Sequence, residues 1–262
     1  MVQPQGFEDP KNSSKVCKLQ RAIYGLKQAS RSWNKRFDEE VKTLGFIQSK
    51  EEPCVYKKVS GSHIVFLVLY VDDILLIGNE KSLMEQTKNS LKTIFSMKDM
   101  DEAQYILGIK IYRDRSRKFI GLSQNVCIDK ILEMFHMEKS KKENVPMSMS
   151  VQLSKSQCAT THKDIEYMKN VPYASAIGSI MYAMTSTRPD VTYALSMTSS
   201  HQASPGPDHW TAVKNILRYL KRTKNKFLVY GGQRELIVKC YTDASFMTYS
   251  DDRRRQNFIV MG

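Results

Sequence analysis

The chain has 262 residues, 41% of them hydrophobic and 10% aromatic, enough to bury a core as one large domain or two small ones, which excludes a disordered chain. Forty Lys and Arg against 27 Asp and Glu give a formal charge of +13; this favours polyanionic partners, nucleic acid before an anionic membrane surface, although a merely basic soluble protein explains it equally well. Five scattered cysteines (Cys17, Cys54, Cys127, Cys158, Cys240), with no CxxC or His-rich pair, argue against a zinc site or disulfide framework and for a reducing, intracellular setting.

The opening "MVQPQGFEDPKNSSK" lacks an apolar core, so it is not a signal peptide, and residues 1–14 read as loop. Trp33, Phe37, Val41 and Leu44 then recur at helical spacing, and Gly45 is a natural stop. "CVYKKVSGSHIVFLVLYVDDILLIG" reads as strand, turn at Ser60-Gly61-Ser62, strand, turn, strand, because β-branched and aromatic residues dominate it. Its apolar run, 64–77, is too short to span a bilayer and carries two acids at its centre. A helix capped by Asn79 follows, reaching about Phe95, with Leu83, Thr87, Leu91 and Ile94 on one face.

"QYILGIKIYRD" and "KFIGLS" read as a hairpin around "RDRSRK". "SQNVCIDKILEMF" reads as a Ser-capped helix with Cys127, Ile131 and Phe135 in line. Residues 139–170 are polar and aperiodic, the pattern of a linker between subdomains. "VPYASAIGSIMYAMTSTRPDVTYALSMTSS" predicts two helices broken at Pro189, with Thr187 and Asp190 in a capping-box-like relation and Ala174, Gly178 and Ala183 at close contacts. In "DHWTAVKNILRYLKRTKNK", Trp210, Val213, Leu217 and Leu220 face inward while Lys214, Arg218, Lys221 and Arg222 face out. "FLVYGG", "ELIVKCYTDASF" and "NFIVMG" return to strands.

Asp72 and Asp73 are the chemically informative residues. Asp is common in turns, but adjacent carboxylates raise each other's cost of ionisation. A divalent cation removes that cost: Mg²⁺ takes one or two carboxylates together with substrate phosphates, and two such ions clamp the oxygens of a phosphoryl transfer.

Tyr70-Val71-Asp72-Asp73, set between apolar strands, resembles the catalytic hairpin of reverse transcriptases. "KLQRAIYGLKQASRSW", "FSMKDMDEAQYILGIKI", "GLSQNVCIDKILEMF", "VPYASAIGSIMYAMTSTRPDVTYAL", "PGPDHWTAVKNILRYLKRT" and "YTDASF" resemble, in order and over nearly the whole chain, the Pol polyprotein of copia-type LTR retrotransposons. The resemblance implies RNA-directed DNA synthesis with Mg²⁺ (or Mn²⁺) on an RNA template and DNA primer or hybrid duplex, from deoxynucleoside triphosphates, inside the cell. It implies an α+β fold: a partial polymerase palm and thumb (1–138), a linker (139–170), a connection subdomain (171–232) and the start of a ribonuclease H-like sheet (233–262).

By the same resemblance, Asp72 and Asp73 are catalytic, with Asp72 the firmer metal ligand, and Tyr70 and Val71 lie near the primer end. Lys27 and Gln28 fall in the segment that contacts nucleotide and template, although its Tyr24 and Leu26 also suit the core at the start of a helix. Lys98 could meet nucleotide phosphates or be merely solvated. Leu107-Gly108-Ile109 matches the primer-grip hairpin, or is an ordinary strand in which Gly108 allows close backbone approach. Lys214, Arg218, Lys221 and Arg222 could meet duplex phosphates or form a solvated face. Asp243 matches the first metal-binding acid of a ribonuclease H site, whereas Asp251 and Asp252 read as turn and surface residues.

In the family a third polymerase carboxylate precedes the segment matched by "QPQGF", and further nuclease acids follow the segment matched by "YTDASF". The 262 residues are therefore expected to be a piece truncated at both ends, with little or no polymerase activity and no nuclease activity in isolation. A non-catalytic nucleic-acid-binding remnant is the alternative.

Overall fold

Helix α1 (Ala29–Thr43) buries Phe37 and Val41 and ends where Gly45 takes φ +85°, a conformation that a side chain would resist. The chain then forms an antiparallel meander: β1 (Ile47–Gln48), β2 (Val55–Ser60), β3 (His63–Tyr70) and β4 (Asp73–Gly78), in that spatial order. Period-two alternation on β3 buries Val65, Leu67 and Leu69 against α1 and against α2 (Lys81–Ile94). Fully burying each such side chain is worth roughly 1.5–3 kcal/mol. Tyr56 fills the same core, and burial together with the Asp38 carboxylate that its hydroxyl bonds pushes its phenol up to about 12.

This computed structural model describes all residues except Arg21, Tyr24, Met149, 232–239, 246–255 and Gly262; for 240–245 and 256–261 it describes the strand backbone. Two units are present, Met1–Glu102 and Ala103–Gly262. The second is built on β5 (Tyr105–Ile106), β6 (Ile109–Asp114) and β7 (Phe119–Ser123), with β8 (Leu228–Gly231) returning from far along the chain to pair with β7. Helices α3 (Asn125–Met134), α4 (His162–Lys169), α5 (Tyr173–Ser186), α6 (Thr192–Ser199) and α7 (Pro207–Thr223) share one core, in which Ile128, Ile177, Leu195, Val213 and Leu217 are buried. Strands β9 (Cys240–Ser245) and β10 (Gln256–Met261) form an antiparallel pair. Mixed α and β structure with antiparallel sheets agrees with the expected class. Among the described residues no helix is long and apolar enough to cross a membrane.

Several local expectations are corrected. Glu80, not Asn79, caps α2: its carboxylate accepts from the Ser82 amide, while Asn79 bonds the Ile64 amide and the Ser62 carbonyl and so fastens the start of β3. "QYILGIKIYRD" is two strands, because Leu107 (φ +51°) and Gly108 (φ +75°) form a turn between β5 and β6. The residue capping α3 is Gln124, with no side-chain cap; its amide oxygen instead accepts from the Thr187 hydroxyl at 2.7 Å. Thr187 therefore does not form a capping box with Asp190. On α5, Ala174 and Gly178 are exposed, and Ala176 and Ala183 are the small residues at the helix contacts.

The stretch 139–170, expected to be a linker, is itself packed: Leu153 and Met168 are buried, and a 3-10 turn spans Lys155–Gln157. The Gln157 carbonyl occupies the space that a Cβ on Gly206 would need. His209, fully buried, accepts from the Gly206 amide at Nδ1, so Nε2 carries the proton and donates to the Ser154 carbonyl at 3.1 Å. A second buried cluster surrounds Arg188, which is 4% exposed. Its guanidinium donates to both carboxylate oxygens of Asp190 (3.0 and 2.7 Å) and to Thr223, and lies 5.4 Å from the Tyr219 ring centre. Tyr219 also donates to Asp190 at 2.6 Å.

Candidate active site

The register of β3 and β4 ends at the pair Tyr70–Asp73, leaving Val71 and Asp72 as a two-residue turn. Val71 has φ +52° and Asp72 does not share the positive φ, the pattern of a type II′ turn, whose first central position normally calls for Gly. A β-branched residue there is strained by roughly 1–3 kcal/mol. The compensation comes from α1. The indole N–H of Trp33 donates to the Val71 carbonyl at 2.8 Å, and the Trp33 ring is held edge-on by Phe95 (5.2 Å between centres) and beside Phe37 (5.6 Å). The turn is thus pinned to the first core by one directional bond.

Tyr70 and Val71 are 53% and 59% exposed, and both aspartates are exposed. No hydrogen bond or ion pair from the described residues reaches either carboxylate, so four hard oxygens stand in solvent at the tip of an apolar hairpin. That donor set suits Mg²⁺ or Mn²⁺, with water or phosphate completing the shell. Among the described residues no group of three or more His, Cys, Asp or Glu could hold a metal ion, so the pair amounts to two ligands.

The other candidates fall in three places. Lys27 and Gln28 are exposed at the entry to α1, five or six residues before Trp33, and Gln28 occupies the capping position without a side-chain cap bond. Lys98 is exposed after α2, next to Asp99, which binds Lys88 and Lys92. Gly108 lies in the second unit at the turn described above, where the Leu107 carbonyl accepts from the Tyr182 hydroxyl at 2.6 Å. On α7 Arg222 is exposed, but Lys221 donates to the Ser140 carbonyl (2.6 Å) and Arg218 to Asn215 (2.8 Å), so these two also serve the fold. Lys214 is half-buried. Asp243 lies on β9 opposite Phe258; its side chain, like Tyr24, Asp251 and Asp252, lies outside the described residues.

Trp33 is the residue that sequence reasoning missed. Its spacing with Phe37 reads as ordinary core, yet a packed indole needs an acceptor for its N–H, and a lone helix offers none. That unmet requirement was the available signal.

Residues 1–149 match the family model described as reverse transcriptase (RNA-dependent DNA polymerase), a match that takes in the whole first unit. The chain is 43% identical, over 97% of its length, to a retrovirus-related Pol polyprotein from transposon TNT 1-94 of Nicotiana tabacum, and 34% identical over its full length to one from transposon RE1 of Arabidopsis thaliana. It covers 19% and 17% of these proteins, about a fifth of their length. It is also 30% identical over 93% of its length to the putative transposon Ty5-1 protein of Saccharomyces cerevisiae, covering 77% of that chain. No solved structure matches significantly. Hairpin, motif order and relatives agree: the chain belongs to the reverse transcriptase (RNA-dependent DNA polymerase) family, in its copia-type transposon branch.

Proposed function

We propose that Asp72 and Asp73 are carboxylates of a nucleotidyltransferase site that extends a DNA primer on an RNA template, with Asp72 the firmer metal ligand. The observation that carries this is the pair's setting: exposed, unengaged by the described residues, and presented on a strained turn fixed by Trp33. Ordinary surface aspartates need no such support. Mg²⁺ or Mn²⁺ held by Asp72 and Asp73 would neutralise charge on the nucleotide phosphate and acidify the primer hydroxyl. Trp33 and the turn fix the height and direction of both carboxylates, so that little ordering remains for substrate binding to supply. Tyr70 shares the face of Asp73 and is positioned for the primer end, while Lys27, Gln28 and Lys98 are the candidates for nucleotide and template contacts.

In this reading residues 1–138 are palm and thumb and 171–232 a connection region; Gly108 turns the primer-grip hairpin, the α7 cations face duplex phosphate, and Asp243 begins a ribonuclease H sheet. Because the chain is about a fifth of its longer relatives, the whole polyprotein's activity is itself part of the proposal. Two carboxylates bind a divalent ion weakly, so these 262 residues alone should extend primers poorly or not at all. Manganese titration followed by electron paramagnetic resonance tests the site directly: weak binding should disappear in Asp72→Asn. Equal binding in the variant would overturn the assignment. Robust Asp72-dependent primer extension by the chain alone would overturn the expected inactivity.

The absence of a third acid beside the pair among the described residues favours a second reading, nucleic-acid binding without catalysis. It predicts salt-sensitive binding of primer–template that survives Asp72→Asn. Failure of the unmutated chain to bind at low salt would remove it.

A further inference from the structure

We propose that one face of the β5–β8 sheet is a stacking surface for a single nucleic-acid strand, built from Tyr112, Phe119 and Phe227 and separate from the aspartate hairpin. The register puts Tyr112, Gly121 and Val229 in one cross-strand row, and Asp114, Phe119 and Gly231 in another row of the same face. Phe227, one residue before β8, lies over Gly121: a Cβ at that glycine would come within 3.1 Å of its ring. The Tyr112 ring lies 6.2 Å, centre to centre, from both Phe119 and Phe227. The rings are not closed over, since Tyr112 is 50% and Phe227 42% exposed. Gly121 is what lets Phe227 settle onto the sheet beside Tyr112.

The charge around these rings selects the partner. On the face of Tyr112 and in the adjoining turn and strand entry the chain carries Lys110, Arg115, Arg117, Lys118 and Lys226, five cations, against one acid, Asp114; Arg113 falls on the opposite face. That acid already accepts from the Ser116 hydroxyl and the Arg117 amide, which hold its carboxyl below the usual carboxylate range. Exposed rings bordered by cations fit unpaired bases and the phosphates between them, with stacking that tolerates any sequence. A duplex fits poorly, because its base faces are already stacked. A protein interface core is instead depleted of lysine, and a lipid-inserting face is an amphipathic helix with an uninterrupted apolar side, whereas here the rings sit on a sheet face that also carries Asp114. The inference uses none of Tyr70, Asp72 or Asp73, and stands even if the hairpin proves non-catalytic.

Fluorescence anisotropy with a labelled oligothymidylate, an oligouridylate and a hairpin duplex of equal length tests it on the full chain. Both single strands should bind, and ring substitution should weaken their binding more than that of the duplex. The double substitution Tyr112→Leu/Phe227→Leu should weaken single-strand binding about tenfold or more, within the range for lost base stacking. Arg117→Gln/Lys118→Gln should instead flatten the salt dependence. The single variant Tyr112→Leu, and photo-crosslinking of an iodouridine oligonucleotide to Tyr112 or Phe227 in the unmutated chain, give readouts that do not depend on the double variant folding. A folded double variant of unchanged single-strand affinity, equal loss of duplex and single-strand binding in that variant, or binding of anionic vesicles without binding of oligonucleotides would each overturn the proposal.

Discussion

Asp72 and Asp73 stand in solvent on a strained turn with no side chain of the described residues against them, whereas Asp190 in the second unit is met by three donor atoms of Arg188 and Tyr219. Both places sit in motifs that mark the same family, so motif membership alone does not separate them. Their surroundings do. Burial alone would raise the Asp190 carboxyl, but the hydrogen bonds from Arg188 and Tyr219 outweigh it and hold the group below 3.8. Arg188 in turn has its charge used up by Asp190, Thr223 and the Tyr219 ring. One site has spent its carboxylate on folding, and the other has kept two available while placing strain beneath them.

The largest expected effect tests the folded side of this contrast. Arg188→Met leaves Asp190, whose side chain is 38% exposed, with Tyr219 as its remaining side-chain donor and strips the buried Thr223 carbonyl of its guanidinium donor, and should cost about 1–3 kcal/mol in urea unfolding. A loss below about 0.5 kcal/mol, the scale of an ordinary surface change, would show that the cluster is not structural. Next comes Trp33→Phe, which keeps the packing on Phe37 and Phe95 but removes the N–H that holds Val71. Loss of one net hydrogen bond predicts about 1 kcal/mol of destabilisation. Hydrogen exchange should also quicken at the turn amides of Val71 to Asp73, and unchanged exchange there would refute the clamp.

The sequence was most legible where local chemistry and fold agree. The β3–β4 hairpin and α7 announced themselves by period, since apolar alternation on β3 and the Trp210, Val213, Leu217, Leu220 stripe each have one face to bury. Legibility failed where two residues compete for one role. Asn79 and Glu80 can both cap a helix, and only the β3 backbone, which claims Asn79, decides between them. Gly108 reads as a strand glycine until the positive φ of Leu107 before it reveals a turn. The stretch 139–170 looked like a linker because its buried residues, Leu153 and Met168, are widely spaced and find partners on distant helices. At the site the aspartates were readable and their support was not, because a bond across 38 residues leaves no local pattern.

Val71→Gly sharpens the contrast in the opposite direction from the first two variants. Removing the side chain releases roughly 1–3 kcal/mol of backbone strain at φ +52°. Glycine's extra unfolded-state entropy takes back about 0.5–1 kcal/mol. Strain relief wins, and a net gain of about 1 kcal/mol is expected in urea unfolding; a loss would mean that Val71 makes packing contacts that outweigh its strain. A smaller effect depends on pH. Because the folded Asp190 carboxyl is depressed, its contribution is present above the unfolded value and fades as pH falls through the lower folded one. The melting-temperature gap between the unmutated chain and Asp190→Asn should therefore close below 3.8, and a gap that persists at strongly acid pH would place the effect in shape rather than charge.

The smallest stability effect belongs to the most consequential residues. Asp72→Asn and Asp73→Asn remove no hydrogen bond and no ion pair to the described residues, and they relieve the repulsion between neighbouring carboxylates. Exposed substitutions of this kind stay within about ±0.5 kcal/mol, with the sign here toward stabilisation at low salt. A residue that costs nothing to replace in folding but abolishes Mn²⁺ binding is one held for chemistry. Substantial unfolding in either variant would instead make the pair a structural turn, and the contrast with Asp190 would collapse.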